Sequence, residues 1–211
     1  MIDERRLREA GAVLAAESAR FASMGWMRGT SGNLSLTLDR DPLRLAVTAS
    51  GFDKSELAPE HVVLVDGKGD LLPGDTRGLI PSAEAGLHAR IAAVTGAGAA
   101  VHVHAMAAVE AGFHWPEGVA ISDMEMLKGI GHSAHGERVV IPVVQNSQDM
   151  VELGDRFEAV YRRPAGGIAE VPAIIVASHG MYAWGEDVAA ARRHTEITEW
   201  LLRFTVRTRA R

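Results

Sequence analysis

The chain of 211 residues has no cysteine. Disulfides and thiolate metal sites are therefore excluded, and any transition metal would have to be held by His, Asp or Glu. The absence is compatible with a reducing compartment. No apolar run approaches the ~20 residues that span a bilayer. The opening stretch "MIDERRLREAG" mixes acids and bases and lacks the apolar segment of a secretion signal. The expectation is a soluble, cytoplasmic protein without a membrane partner. An excess of basic charge is missing too. The net charge is −5 and no long run of Lys or Arg occurs, so bulk charge gives no argument for nucleic acid. An anionic substrate would need local donors. Neither a G-x-G-x-x-G fingerprint nor a P-loop is present, so a nucleotide is not indicated.

What is present reads as ordinary globular composition, with 47% hydrophobic residues and enough length for one core. A single domain over residues 1–211 is expected. From Asp3 to about Gly25, Leu7, Ala10, Leu14, Ser18, Phe21 and Met24 recur at helical spacing. "LSLTL", "LRLAVTAS" and "HVVLVDGKGD" read as strands with turns between them. A helix is predicted from about Ser82 to Val94, then a short buried strand "AAVHVH" and a helix over "AMAAVEAG". "RVVIPVV" reads as one strand. "SQDMVELGDRFEAVYRR" reads as a helix with Ser147 as N-cap. "RPAGGIAEVP" is a loop, "AIIVASHG" a strand, "MYAWG" a short extended piece, and "EDVAAARRHTEITEWLLRFTVR" a closing helix. Alternating strands and helices, with hairpin-like turns among them, predict an α/β fold of three layers, α/β/α, around a central mixed sheet.

Two histidines, His102 and His104, stand one residue apart in an apolar run. Side chains at i and i+2 of a strand share a face, so both rings can converge on one ion. A bare H-x-H is more often an uneventful strand face. Here the Ala and Val flanks argue for burial, where two rings would each need partners. A catalytic zinc takes three protein ligands and keeps one position open. His179, after "IIVAS" and before a glycine, is the best third candidate. His61, His114, His132, His135 and His194 sit in polar or turn contexts and read as surface residues, with His194 on the closing helix. Met106, Phe113 and Trp115 read as core packing.

Three loops are rich in small and hydroxyl residues: "GTSGN" (29–33), "TASGFDK" (48–54) and "PSAE" (81–84). Backbone N–H groups in such turns, and at helix starts, can hold anions, and Lys54 lies nearby. Each alone is usually only a turn. Three of them beside a metal site point to a small phosphorylated substrate. Among the acids, Glu84 suits the helix N-terminus it opens, and Glu125 lies in "SDMEMLKGIGH".

The motifs "GTSGNLS", "TASGFDKSEL", "PSAEAGLHARI", "GAGAAVHVHAMAA" and "ASHGMYAWGEDVAAARRHTEITEWL" follow in the order of the class II aldolase/adducin superfamily, which the chain resembles from about residue 5 to 205. Within it, "EMLKGIG", "VVIPVVQNSQD" and "HGMYAWG" are similar to the methylthioribulose-1-phosphate dehydratases of methionine salvage. The resemblance implies a zinc ion held by His102, His104 and His179, and a homotetramer with sites near subunit interfaces. It implies that Asn33, Ser50, Gly51 and Ser82 bind the phosphate. It makes Glu125 the catalytic acid/base, while Glu84 matches the glutamate that serves the sugar-phosphate aldolases as base. Two other readings share these features in part. One is a class II aldolase or epimerase working through the same metal-stabilised enediolate. The other is a non-catalytic adducin-like module, which would not need three histidines.

Overall fold

The computed structural model describes residues 4–73, 77–161 and 171–210. Helix α1 (Glu4–Ser23) leads into an antiparallel meander of β1 (Asn33–Arg40), β2 (Leu43–Thr48) and β3 (Val62–Asp66). Then come α2 (Ala85–Thr95), β4 (Ala99–Val103), α3 (Met106–His114), β5 (Val119–Ser122) and a 3-10 helix over Glu125–Ile130. The chain continues with β6 (Arg138–Ile141), β7 (Val143–Val144), α4 (Met150–Tyr161), β8 (Ala173–Val176), β9 (Gly180–Gly185) and α5 (Val188–Arg209).

Seven strands form one sheet in the order β3-β2-β1-β4-β9-β8-β7, and β5 pairs with β6 in a separate ribbon. Only the β7–β8 pair in the large sheet is parallel, so the sheet is mixed. Alternation along the strands sends side chains to two cores. Ala46, Val101, Val103, Ile175 and Met181 pack against α1, α3 and α5. Val47, Val65, Ala100, Ile174 and Tyr182 face α2 and α4. The predicted three-layer arrangement around a mixed sheet is what the molecule adopts. Among the described residues, no helix is long and apolar enough to cross a membrane.

Local differences from the sequence reading have local causes. The stretch read as one strand, "RVVIPVV", is two strands in two sheets, divided at Pro142, which has no N–H to continue a ladder. Helix α4 starts at Met150, and Asp149 rather than Ser147 caps it. The Asp149 carboxylate accepts from Val151 N at 2.8 Å, while the Ser147 hydroxyl accepts from Asp149 N one step earlier. Helix α2 begins at Ala85, three residues beyond Ser82. Strand β5 and the 3-10 helix were not foreseen, because each is too short to show a period. The loop predicted over "RPAGGIAEVP" falls mostly outside the described residues.

Candidate metal centre and anion cavity

The central strand β4 ends beside the histidine cluster. His102 is its fourth residue and fully buried, and His104 follows the last one. His179 stands in the turn between β8 and β9, and β9 is the strand paired with β4. Its predecessor Ser178 has φ 58°. A non-glycine residue in that region costs ~1–3 kcal/mol, which the surrounding structure must hold in place. Two glycines let backbones close in around the cluster. A Cβ on Gly32 (φ 77°) would meet His102 O at 2.9 Å, and one on Gly180 would meet Val103 O at 2.3 Å.

The three rings present ligand atoms that all lie within 4.8 Å of one another. His102 Nε2 and His104 Nε2 are 2.9 Å apart. Met181 O lies 3.0 Å from His102 Nδ1, so that nitrogen carries the proton and Nε2 keeps its lone pair toward the cluster. The buried Nδ1 of His179 has no hydrogen-bond partner among the described residues. Burial, against the pull of the Glu84 charge, pushes His102 down to about 3. Burial and the neighbouring His179 also lower His104, again against Glu84. Convergent imidazoles, two of them kept neutral by burial, with an orphaned buried nitrogen on the third, fit a divalent metal ion, so His102, His104 and His179 could hold one.

Glu84 joins this cluster. It occupies the N-cap position of α2 but makes no side-chain cap there. Its carboxylate lies 3.0 Å from His179 Nε2 and 3.5 Å from His102 Nε2 instead. Asn33 Nδ2 donates to Glu84 Oε2 at 2.5 Å. Burial alone would raise the Glu84 carboxyl, but the His102 ring and the hydrogen bonds from His179 and Asn33 outweigh it and hold it well below the usual range. Tyr182, fully buried, stacks on His102 with centroids 4.1 Å apart.

The cluster opens into a cavity of about 250 Å³. That is just below the ~300–1,000 Å³ of sites for drug-sized ligands, and it suits a small molecule. Thr30, Ser31, Asn33, Ser50, Lys54 and Ser82 line it, with His104, His179 and Glu84. Gly51, next in the turn at φ 86°, does not. Ser50 N donates to Ile80 O at 2.9 Å and Ala49 bridges Pro81, which ties the 48–54 loop to the 81–84 loop. Lys54 is the only Lys or Arg among the described lining residues, and it is buried. Its Nζ donates to Thr30 O at 3.0 Å and Phe52 O at 2.8 Å, so the ammonium ties the 48–54 loop to the 29–33 loop. Burial lowers it, partly offset by Asp53.

Residues 12–206 match the class II aldolase and adducin N-terminal domain. The chain belongs to that family. It is 39% identical over 196 residues to a methylthioribulose-1-phosphate dehydratase of Methylococcus capsulatus, covering 92% of this chain and 90% of that one. To the dehydratase of Geobacillus kaustophilus it is 35% identical over 196 residues, again covering 92% and 90%. Among solved structures it is similar to L-fuculose-1-phosphate aldolase from Thermus thermophilus, with TM-score 0.69, 23% identity and coverage of 99% and 97%. The sugar-phosphate aldolase from Thermotoga maritima gives TM-score 0.64 at 21% identity, covering 98% and 96%. Both likenesses speak for the class II aldolase fold.

Not every residue singled out by sequence reaches this family site. Asn33, Ser50, Ser82, Glu84, His104 and His179 come together around the cavity, with His102 beneath them. Glu125 does not. It opens the 3-10 helix with its side chain 71% exposed and 2.6 Å from Lys128. The Lys128 hydrogen bond and charge hold its carboxyl below the usual range. Phe113 and Met106, read as core, are 79% and 68% exposed, because α3 buries the stripe Ala107, Ala108, Ala111 and Gly112 instead. Trp115 does pack against the core. His132, read as a surface residue, has a side chain only 6% exposed and pairs with Glu137 at 2.9 Å. Sequence reasoning passed over Ser147, Gln148 and Met150, which also line the cavity. Their signal was position: they lie just beyond a strand, the end of α/β sheets where ligands bind. It also passed over His88, the ninth histidine, which is fully buried on α2.

Proposed function

We propose that this chain is a metal-dependent hydro-lyase that converts 5-methylthioribulose 1-phosphate to 5-methylthio-2,3-dioxopentyl phosphate, a step of methionine salvage. The observation that carries the reading is near-full-length similarity, at 35–39% identity, to relatives that share this one activity. The cavity supports it, because it joins anion-binding loops to a cluster fit for a metal. We assign zinc as the ion, since three imidazole ligands leave a fourth position open. When bound, it would supply Lewis acidity that makes the C3 proton easier to remove and steadies the developing enediolate.

The chain's own residues do the rest. Asn33, Ser50 and Ser82 hold the phosphate from the cavity wall, Gly51 shapes the turn that presents Ser50, and the buried Lys54 is the local positive charge. A carboxylate takes the proton from C3. The C4–O bond then breaks, and the departing hydroxyl receives a proton and leaves as water. The resulting enol loses its O–H proton and gains one at C4, giving the diketone. Glu84 stands beside the rings and, among the described residues that line the cavity, is the carboxyl within reach. Glu125 is the second acid/base of this reading and would serve the cavity of a neighbouring copy in a homotetramer. Exposed Phe113 and the stacked, half-exposed Trp200 and Phe204 supply apolar surface for such assembly. A cytoplasmic location goes with the proposal.

The test is a product assay on purified protein with methylthioribulose 1-phosphate, with and without chelator. Diketone that disappears on chelation is the expected outcome. Glu84 among the rings also suits a sugar-phosphate aldolase, which would release dihydroxyacetone phosphate and an aldehyde instead. That product pattern would replace the dehydratase reading.

A further inference from the structure

His88 takes no part in the chemistry above, yet both of its ring nitrogens are engaged. It lies one helical turn along α2 from Glu84 and is fully buried. Its Nε2 is 2.5 Å from Asn33 Oδ1, and its Nδ1 is 2.8 Å from Ser35 Oγ. Asn33 in turn donates to Glu84. Ser35, His88 and Asn33 are 1%, 0% and 5% exposed, so water does not compete for these bonds.

The direction of this chain is dictated from its carboxylate end. A carboxylate can only accept, so the N–H₂ of Asn33 must face Glu84. The Asn33 oxygen then faces His88, whose Nε2 must carry the proton. A neutral ring keeps its lone pair on Nδ1, and that nitrogen accepts from the Ser35 hydroxyl. Burial, partly opposed by the Glu84 charge, pushes His88 down to about 4, which keeps the ring neutral. An amide has nearly the same shape from either end. Without the His88 N–H, Asn33 could turn over and set its oxygen against the Glu84 oxygen, two acceptors at hydrogen-bond distance.

We propose that His88 is a positioning residue for Glu84: through the Asn33 amide, and itself set by Ser35, it fixes the orientation of the carboxylate beside the three-histidine cluster. The proposal rests on reading Glu84 as a working carboxyl of the site. It also gives Asn33 two duties, since one of its N–H bonds is committed to Glu84 and the other is left for the phosphate.

Two measurements test this. The first needs neither metal nor substrate. In metal-free wild-type protein labelled with 15N-histidine, long-range 1H–15N correlation at pH 7 is expected to show His88 as the neutral Nε2–H tautomer, assigned by its absence in His88→Gln. An Nδ1–H tautomer or a doubly protonated ring overturns the proposal. The second compares His88→Leu with His88→Gln in the dehydration assay. His88→Leu is expected to lower kcat by about 10- to 100-fold with bound metal little changed, and to raise KM as well, because the turned Asn33 amide also loses its N–H toward the phosphate. His88→Gln, whose amide N–H can still donate to Asn33, is expected to recover most of that loss. A wild-type kcat in His88→Leu, or no recovery in His88→Gln, overturns it. Wild-type protein that dehydrates nothing would count against the dehydratase reading alone, and the tautomer would still decide the brace.

Discussion

Two glutamates of this chain, Glu84 and Glu125, live in opposite surroundings. The Glu84 side chain is 14% exposed and held by His179, His102 and Asn33. The Glu125 side chain is 71% exposed and meets the flexible ammonium of Lys128. Both carboxyls sit below the usual range, for different reasons. Around Glu84, ring contacts and hydrogen bonds overcome a burial penalty. Around Glu125, one exposed lysine suffices. The same shift in direction therefore carries different weight. Water and salt screen the exposed pair, whereas geometry fixes the buried one. Glu84 is preorganised by its own chain, and Glu125 depends on whatever assembly brings to it.

The largest effect should come from removing the metal-ligand cluster that Glu84 touches and Glu125 does not. His104→Ala, or prolonged chelation of wild type, is expected to abolish dehydration together with metal content. Full zinc in His104→Ala by elemental analysis would refute the ligand assignment. Glu84→Gln should come next, with turnover reduced ~10²–10⁴-fold, the usual range for lost acid–base catalysis. Because its carboxylate touches His102 and His179, this variant should also shift the visible spectrum of cobalt-substituted protein. Glu125→Gln is expected to lose turnover in the same range while leaving that spectrum unchanged. Near-normal dehydration by Glu125→Gln would end its role, and the contrast between the two carboxylates would then be one of active against idle. If Glu125 serves a neighbour, inactive Glu125→Gln and His104→Ala mixed as subunits should regain part of the activity.

Ser82→Ala should act more gently, raising KM several-fold with kcat nearly kept, by about the net value of one hydrogen bond. An unchanged KM would remove it from the phosphate site. The smallest effect is on stability. An unfolded imidazole binds its proton near pH 6.5 and buried His88 only at about 4, so unfolding takes up protons between these values. The metal-free protein should therefore lose stability as pH falls from ~6.5 toward 4, because the unfolded state gains the proton first. Buried His102, pushed down to about 3, acts in the same direction, so a melting temperature that is level across this window would show that neither buried ring resists protonation in the fold.

Much of the fold was open to reading because its signals are periodic. The helices α1 and α5 and the strands β1 to β4 announce themselves by spacing, within a few residues of their observed ends. What escaped was aperiodic or short: the split at Pro142, strand β5, and the Asp149 cap. The site was legible where one segment held the pattern, as in "VHVH", or where ordered motifs resembled a family. His88 escaped because a lone histidine in "AGLHARI" carries no pattern. Only its place one turn from Glu84, with its ring directly against Asn33 of β1, makes it part of the site.

By itself, then, the sequence determined the layer architecture, the family, and which residue types could hold a metal or an anion. These follow from periodicity, from the absence of cysteine, and from motifs that are local in the chain. The tertiary structure alone decided which carboxylate stands among the histidines. Glu84, His102 and His179 are far apart in sequence, and their meeting depends on β4 lying between β1 and β9 with α2 packed above. Long-range pairing of strands sets that meeting, and no local spacing encodes it.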